Sequence, residues 1–294
     1  MVSHEIDANE DLFEIVSTAE ATSIMDVYKY VIQNHHLLPI AELEKRKVLE
    51  DGSLGSIVSF YVSNLTKSSL YRKSQGAGEV SAAIGDSWAS IVRSRAIHIA
   101  ATSEIPKFEA LHAPFLKTLV STSQDENSIL KIKKHLKEQG IIFICEPSIE
   151  KSRVDGVAGK LPNGTPYIGL SIRLNRLDNF WFTLMHELGH IKLHYDRLEQ
   201  PIIDCVEDEP DENDEIELEA NAFASNSLIP RRAWRTSQLV LGKHMDVNEI
   251  HKLAATLSIH PAIVAGRVRK EMNNYAIHND LISAVDVRSL IWGS

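Results

Sequence analysis

The chain has 294 residues, 44% of them hydrophobic, and a formal net charge of −9. That length predicts one large or two modest domains with a true core. The acidic balance argues against broad binding to nucleic acid or anionic membranes, and no apolar run reaches the roughly 18 residues needed to span a bilayer.

Residues 1–75 read as an all-α region. Leu12, Phe13, Ile15 and Val16 open one apolar face, and Met25, Val27, Tyr28, Tyr30, Val31 and Ile32 open another. No glycine-bearing turn joins two patterned helices here and no basic face is present, so a helix-turn-helix would be degenerate. Ser63 to Gly85 is rich in Ser and Gly and reads as a linker. Asp86 or Ser87 is expected to cap a helix from Trp88 to about Ala101. A second helix is expected over roughly Ile105 to Ser121, bent near Pro114. Ser123 and Glu126 form a capping-box pattern that opens a helix ending at Gly140. Ile141 to Cys145 has strand length. Gly156 to Leu161 and Tyr167 to Ile172 flank the turn Pro162-Asn163-Gly164-Thr165 and read as a hairpin. The order of elements predicts an α+β fold, mostly helical, with a small three-stranded sheet under a helix from Asn179 to His194 that Asp178 or Asn179 caps.

That helix carries His186-Glu187-Leu188-Gly189-His190. Residues i and i+4 share a helix face, so His186 and His190 can offer both imidazoles to one metal ion. Glu187 lies between them, placed to act as general base on water. The alternative is two hydrogen-bonded core histidines beside a surface carboxylate. Glu217, in the run Glu217-Leu218-Glu219-Ala220-Asn221, is the preferred third ligand. Asn221 sits one turn on, able to orient a ligand histidine from behind. Glu215 lacks such a partner, and Glu219 points about 200° around the helix from Glu217. Three protein ligands would leave one tetrahedral position open for water or substrate. His194 and Tyr195 are candidate donors to the oxyanion or substrate, although a packing or solvated side chain is the preferred reading of His194. The strand around Tyr167 to Ile172 could offer an edge to an extended peptide.

Glu207 to Glu219 holds nine carboxylates in thirteen residues. It reads as a solvated run whose last members favour a helix N-terminus, with a flap near the metal as the alternative. Asp246 and Glu249 cap a helix from Val247 to Leu257, and Pro261 opens another to about Glu271. This pair is either a packing hairpin or a DNA-contacting unit that uses Arg267, Arg269 and Lys270. Cys145 and Cys205 are far apart in unlike surroundings, which argues against a disulfide framework. Met1 to Asp7 has no secretory pattern. Both observations fit a reducing cytoplasm. Cys205 could also reach the metal as a reversible blocking ligand.

Arg176 to His190, Glu217 to Ala224 and Leu228-Ile229-Pro230, with Asp155-Gly156 and Pro261 to Arg267, resemble the ImmA/IrrE family of gluzincin-like metallo-endopeptidases over about residues 85–275. The closest form is the one fused behind a helix-turn-helix of the HigA or XRE type. The resemblance implies four segments: a helical N-terminal region (1–75), a linker with connecting helices (76–122), a zincin-like metallopeptidase domain (123–275) and a C-terminal tail (276–294). It implies Zn²⁺ on His186, His190 and Glu217, with Glu187 as general base. It further implies cleavage of a partner regulator, a DNA-binding repressor or an antitoxin, in a bacterial or phage stress or toxin-antitoxin response. Direct DNA binding and a homodimer are further expectations, and no membrane is expected. The competing reading is a non-enzymatic regulator whose zinc site is structural or sensory.

Overall fold

The computed structural model describes residues 23–65, 79–204, 214–241 and 246–293. The apolar face expected at Leu12 to Val16, Cys205 and most of the acidic run lie outside them.

Three short helices open the described chain: α1 (Ile24–Asn34), α2 (Ile40–Lys45) and α3 (Leu54–Asn64). Ser23 and Ser53 cap α1 and α3 by accepting backbone N–H bonds from Met25 and Ser56. Val27, Val31, Ile57 and Tyr61 are buried and meet α4 (Glu79–Thr102) through Trp88 and Ile91. Helix α4 corrects the linker expectation for its last turns. Residues 79–85 are helical, and Ala83 and Ile84 are buried. Asp86 and Ser87, expected as caps, lie inside the helix. The Ser87 hydroxyl bonds the Ala83 carbonyl at 2.6 Å and the Tyr61 hydroxyl at 2.6 Å. A stretch of Ser, Ala and Gly looks like a linker by composition. Here small side chains let a buried helix approach its neighbours closely, as Gly85 does against Val154.

Residues 104–112 are not helical, and α5 (Ala113–Thr122) starts beside Pro114. The proline therefore opens a helix instead of bending one, because its missing N–H costs nothing in the first turn. Asp125 caps a single 3-10 turn that leads into α6 (Ile129–Glu138), while Ser123, expected as the cap, is buried at the end of α5. Gly140 ends this segment with φ +77°, a conformation glycine adopts without strain. Helix α6 turns Ile129, Ile132 and Leu136 inward, each worth about 1.5–3 kcal/mol on burial.

The sheet has four strands in the order β1-β3-β2-β4: β1 (Ile142–Cys145), β2 (Gly156–Lys160), β3 (Pro166–Leu170) and β4 (Ile202–Asp204). Strands β1 and β3 are parallel, and the other pairings are antiparallel. Side chains alternate between the two faces. Ile142, Ile144, Val157 and Tyr167 join the N-terminal helices, whereas Phe143, Ala158, Ile168 and Leu170 join the core that holds the motif helix. Glu146, at the end of β1, accepts from Arg46 at 2.8 Å and pairs with Arg95 at 2.5 Å, tying the N-terminal helices to the sheet. The fourth strand was not expected. Its three residues are too few for a periodic signal. Strand β3, expected to offer a free edge, is central, with both of its sides paired.

The motif helix α7 (Leu177–Leu193) follows β3. Arg176 precedes it in extended conformation, with no side-chain cap bond. Asp178 instead pairs with Arg176 at 2.6 Å, and Asn179 contacts Thr183. The helix is buried from Leu177 to Ile191 on nearly all sides, because the sheet, α8 (Glu215–Leu228) and a later helix surround it. Short helices α9 (Arg231–Thr236) and α10 (Gln238–Leu241) precede α11 (Val247–Leu257) and α12 (Pro261–Glu271). Helix α12 packs on α7. Gly266 sits against Asp178, where a Cβ would come within 2.4 Å of the carboxylate. Arg269 is buried, and Arg267 pairs with Glu271 at 2.9 Å. The C-terminal segment also packs inward. It forms α13 (Asn279–Ile282) and α14 (Val287–Trp292), buries Ile282, Val285 and Val287, and bonds Arg288 to the carbonyls of Ile172 and Arg173. Among the described residues no helix is long and apolar enough to cross a membrane.

Candidate metal centre

Helices α7 and α8 cross closely at Gly189, where a Cβ would lie 3.3 Å from the Cα of Ala220 and 3.0 Å from Phe223. This approach brings Glu217, one turn earlier on α8, to the histidine pair. Its carboxylate oxygens lie 3.2 Å from His186 Nε2 and 3.6 Å from His190 Nε2. The two Nε2 atoms are 3.0 Å apart.

Asp204 also belongs to this cluster, and sequence reasoning missed it. Its Oδ2 lies 3.2 Å from His186 Nε2 and 3.3 Å from His190 Nε2. Strand β4 delivers it through antiparallel pairing with β2, which places Asp204 opposite Gly156. In the sequence Asp204 is one carboxylate just ahead of an acidic run, and no helical spacing links it to the motif. Glu215 stands in the first turn of α8, and Glu219 faces elsewhere, toward His194.

Each histidine is held from behind. Asn221 Oδ1 lies 3.1 Å from His186 Nδ1, and His194 Nδ1 lies 3.2 Å from His190 Nδ1. His194 Nε2 then reaches Glu219 Oε2 at 2.9 Å. A consistent proton arrangement follows: His190 donates from Nδ1, His194 accepts there and donates from Nε2 to Glu219. With a cation in place, the Nε2 lone pairs of His186 and His190 would both face it. His194 therefore stands behind a ligand candidate and not on a substrate side. Tyr195 is engaged elsewhere. Its hydroxyl donates to the Gly164 carbonyl, its ring stacks on Phe108, and Lys160 lies 4.5 Å above it. It secures the hairpin turn.

Glu187 is fully buried, and its carboxyl group lies within hydrogen-bonding reach of the Asp204 carboxylate. It lies against Gly156, where a Cβ would fall 1.9 Å from Oε1. Only a residue without a side chain fits between strand and carboxylate. Asp155, just before it, is fixed by Arg173 at 2.9 Å and by its backbone N–H to the Asp204 carbonyl at 2.8 Å.

The charges are strongly interdependent. Burial, then the neighbouring carboxylates of Asp204 and Glu217, push Glu187 well above the usual range. Burial alone would lower His186, but Asp204 and Glu217 prevail and raise it to about 10. Burial alone would raise Asp204, yet the two imidazoles hold it well below the usual carboxylate range. Burial and the Asp204 charge raise Glu217 against the pull of the histidines.

The residues fit a metal ion. His186, His190, Asp204 and Glu217 each offer one donor atom, all within 4.8 Å of one another. Ligand bonds of about 2.0–2.2 Å in a tetrahedron imply donor–donor edges of roughly 3.3–3.6 Å, and the separations given above run from 3.0 to 3.6 Å. Asp204 Oδ2 faces both imidazoles at once, at 3.2 and 3.3 Å from their Nε2 atoms. Donor atoms from a helix pair and a strand thus converge on one point. Two imidazoles with two carboxylates balance a divalent charge.

Residues 137–269 match the family model described as the IrrE N-terminal-like domain, Peptidase_M78. No curated protein matches the chain. The matched segment contains α7, β4 and α8, and so the whole ligand cluster, together with the helix pair packed behind it. Residues 137–269 thus resemble the metallopeptidase domain of the ImmA/IrrE family.

Proposed function

We propose that this protein is a zinc-dependent endopeptidase that cuts a partner regulator, a DNA-binding repressor or an antitoxin, within a bacterial or phage cytoplasm. The observation that carries the reading is Glu187: a fully buried carboxyl group set against a second acid, Asp204, one residue from a metal-ligand candidate. A structural metal site has no use for such a group, which is costly to bury. A general base needs it.

His186, His190 and Glu217 would hold the ion. Zinc when bound acidifies a water toward neutral pH and polarises a carbonyl. Glu187, once a bound cation offsets the neighbouring carboxylates, would accept a proton at its carboxylate and return it to the leaving amine. Asn221, and the pair His194–Glu219, keep the two imidazoles in the tautomer that presents Nε2. Gly156 leaves room for the base, and the burial of α7 excludes bulk water from it.

The test is Glu187→Gln with the regulator encoded beside this protein as substrate. Zinc content should be unchanged, and cleavage should fall by about 10²–10⁴-fold. Cleavage at the normal rate with zinc retained would remove Glu187 from the mechanism. The alternative, a non-enzymatic regulator, draws on Asp204: four protein donors are the mark of a structural zinc site. It predicts zinc binding and partner or DNA binding in a gel shift, with no cut in either protein.

A further inference from the structure

We propose that β4 is an internal pseudosubstrate: Asp204 is a fourth metal ligand in the place a water or peptide carbonyl needs, and β4 covers the sheet edge an extended peptide would use. This rests on the peptidase reading of the same site. The Asp204 carboxylate lies as close to both Nε2 atoms as Glu217 does, at 3.2 and 3.3 Å against 3.2 and 3.6 Å. It is therefore a ligand on geometric grounds, and a tetrahedral ion that takes all four donors keeps no open position.

The strand pairing adds an independent argument. Extended peptides bind sheets by antiparallel or parallel addition to an edge. Strand β3 is central, so the edge nearest Glu187 is the outer side of β2, which carries Gly156 against that carboxylate. Strand β4 occupies this side as a short antiparallel strand from Ile202 to Asp204, and its last residue stands opposite Gly156. The Asp204 side chain thus stands against both the base and the metal donors, the groups that a bound peptide's reacting carbonyl must also reach. With three paired residues, β4 is the shortest strand of the sheet and lies at its edge. Its release would clear the β2 edge and free one coordination position while leaving His186, His190 and Glu217 on their helices.

The test uses the full chain loaded with cobalt in place of zinc, and acetohydroxamate as a probe that needs an open coordination position. Asp204→Asn and Asp204→Ala should both retain cobalt, show altered visible absorption, and bind the probe at least about tenfold more tightly than the unaltered protein. Equal spectra and equal probe affinity in all three forms would overturn the proposal. So would failure of the folded variants to hold cobalt, which would make Asp204 an indispensable anchor. A measurement on the unaltered cobalt protein avoids any folding defect: in D₂O no deuterium should couple as strongly as that of a directly bound water, and such strong coupling would refute a closed site. These readouts concern ligation. If they come out as expected while no form cuts the partner, the peptidase reading fails and the place of Asp204 stands.

Discussion

Gly156→Ala tests the architecture around the base without touching a ligand. The added Cβ would sit 1.9 Å from Glu187 Oε1, 2.7 Å from its Cδ and 3.0 Å from Thr183 Cγ2. Ordinary contact begins at 3.4 Å, so the carboxylate must retreat by about 1.5 Å or the strand must shift as far. A displacement of about 1 Å can cost 10²-fold in rate, so cleavage of the partner should fall by about 10²-fold or more. The strain should cost about 1–3 kcal/mol of stability, a few degrees in Tm for a domain of this size. Gly159→Ala is the control: it overpacks Tyr167, where a Cβ would come within 2.4 Å, without touching Glu187. The assay is kcat on the partner protein, with zinc content and thermal melting measured on the same samples. Both variants should lose stability, and Gly156→Ala alone should lose catalysis with zinc retained. If it cuts at the wild-type rate while folded, the strand does not position Glu187 for the reaction.

Two further outcomes follow from the same geometry. Replacing His194 by Gln, or Glu219 by Ala, should weaken zinc affinity by about 10–100-fold, the range for groups that orient a ligand imidazole. Competition with a chelator reads this directly, and unchanged affinity in both variants would show that the hydrogen-bonded chain behind His190 does not support the site. Cys145 has its thiol pushed up to about 12 by burial, with Lys133 opposing, from an ordinary value of 9.0. In a Cys205→Ser background its alkylation near pH 8 should run on the order of 10²–10³-fold slower than that of a free thiol, because the thiolate is the reacting form. The raised value also sets the sign of its stability effect. The neutral thiol imposes no penalty below the unfolded value, and stability is lost as pH rises from about 9 toward 12. Rapid labelling of the native protein would contradict this burial.

The limits of the sequence reading have physical causes in particular residues. Asp86, Ser87, Ser123 and Asn179 resemble caps because their side chains compete for backbone groups. In the fold, Ser87 lies in a helix interior, bonded to Ala83 and Tyr61, and Ser123 is buried. The helix expected from Ile105 with a bend near Pro114 instead starts beside that proline, after an irregular stretch. Ser63 to Gly85 lost its linker reading where Ala83 and Ile84 found a core to enter.

Spacing along one helix was enough to place His186, Glu187 and His190 together, because an i, i+4 pair meets by local geometry alone. The same rule on α8 separated Glu217 and Asn221 from Glu219. Asp204 obeys no such rule. It joins the cluster only because a three-residue strand pairs with β2 and sets it opposite Gly156. Likewise His194 is one turn from His190 in the chain, but its role depends on Glu219 arriving from another helix to bond its far nitrogen. Contacts within a helix follow from a fixed repeat, whereas contacts between strand and helix depend on how separate layers pack, and no local pattern encodes that.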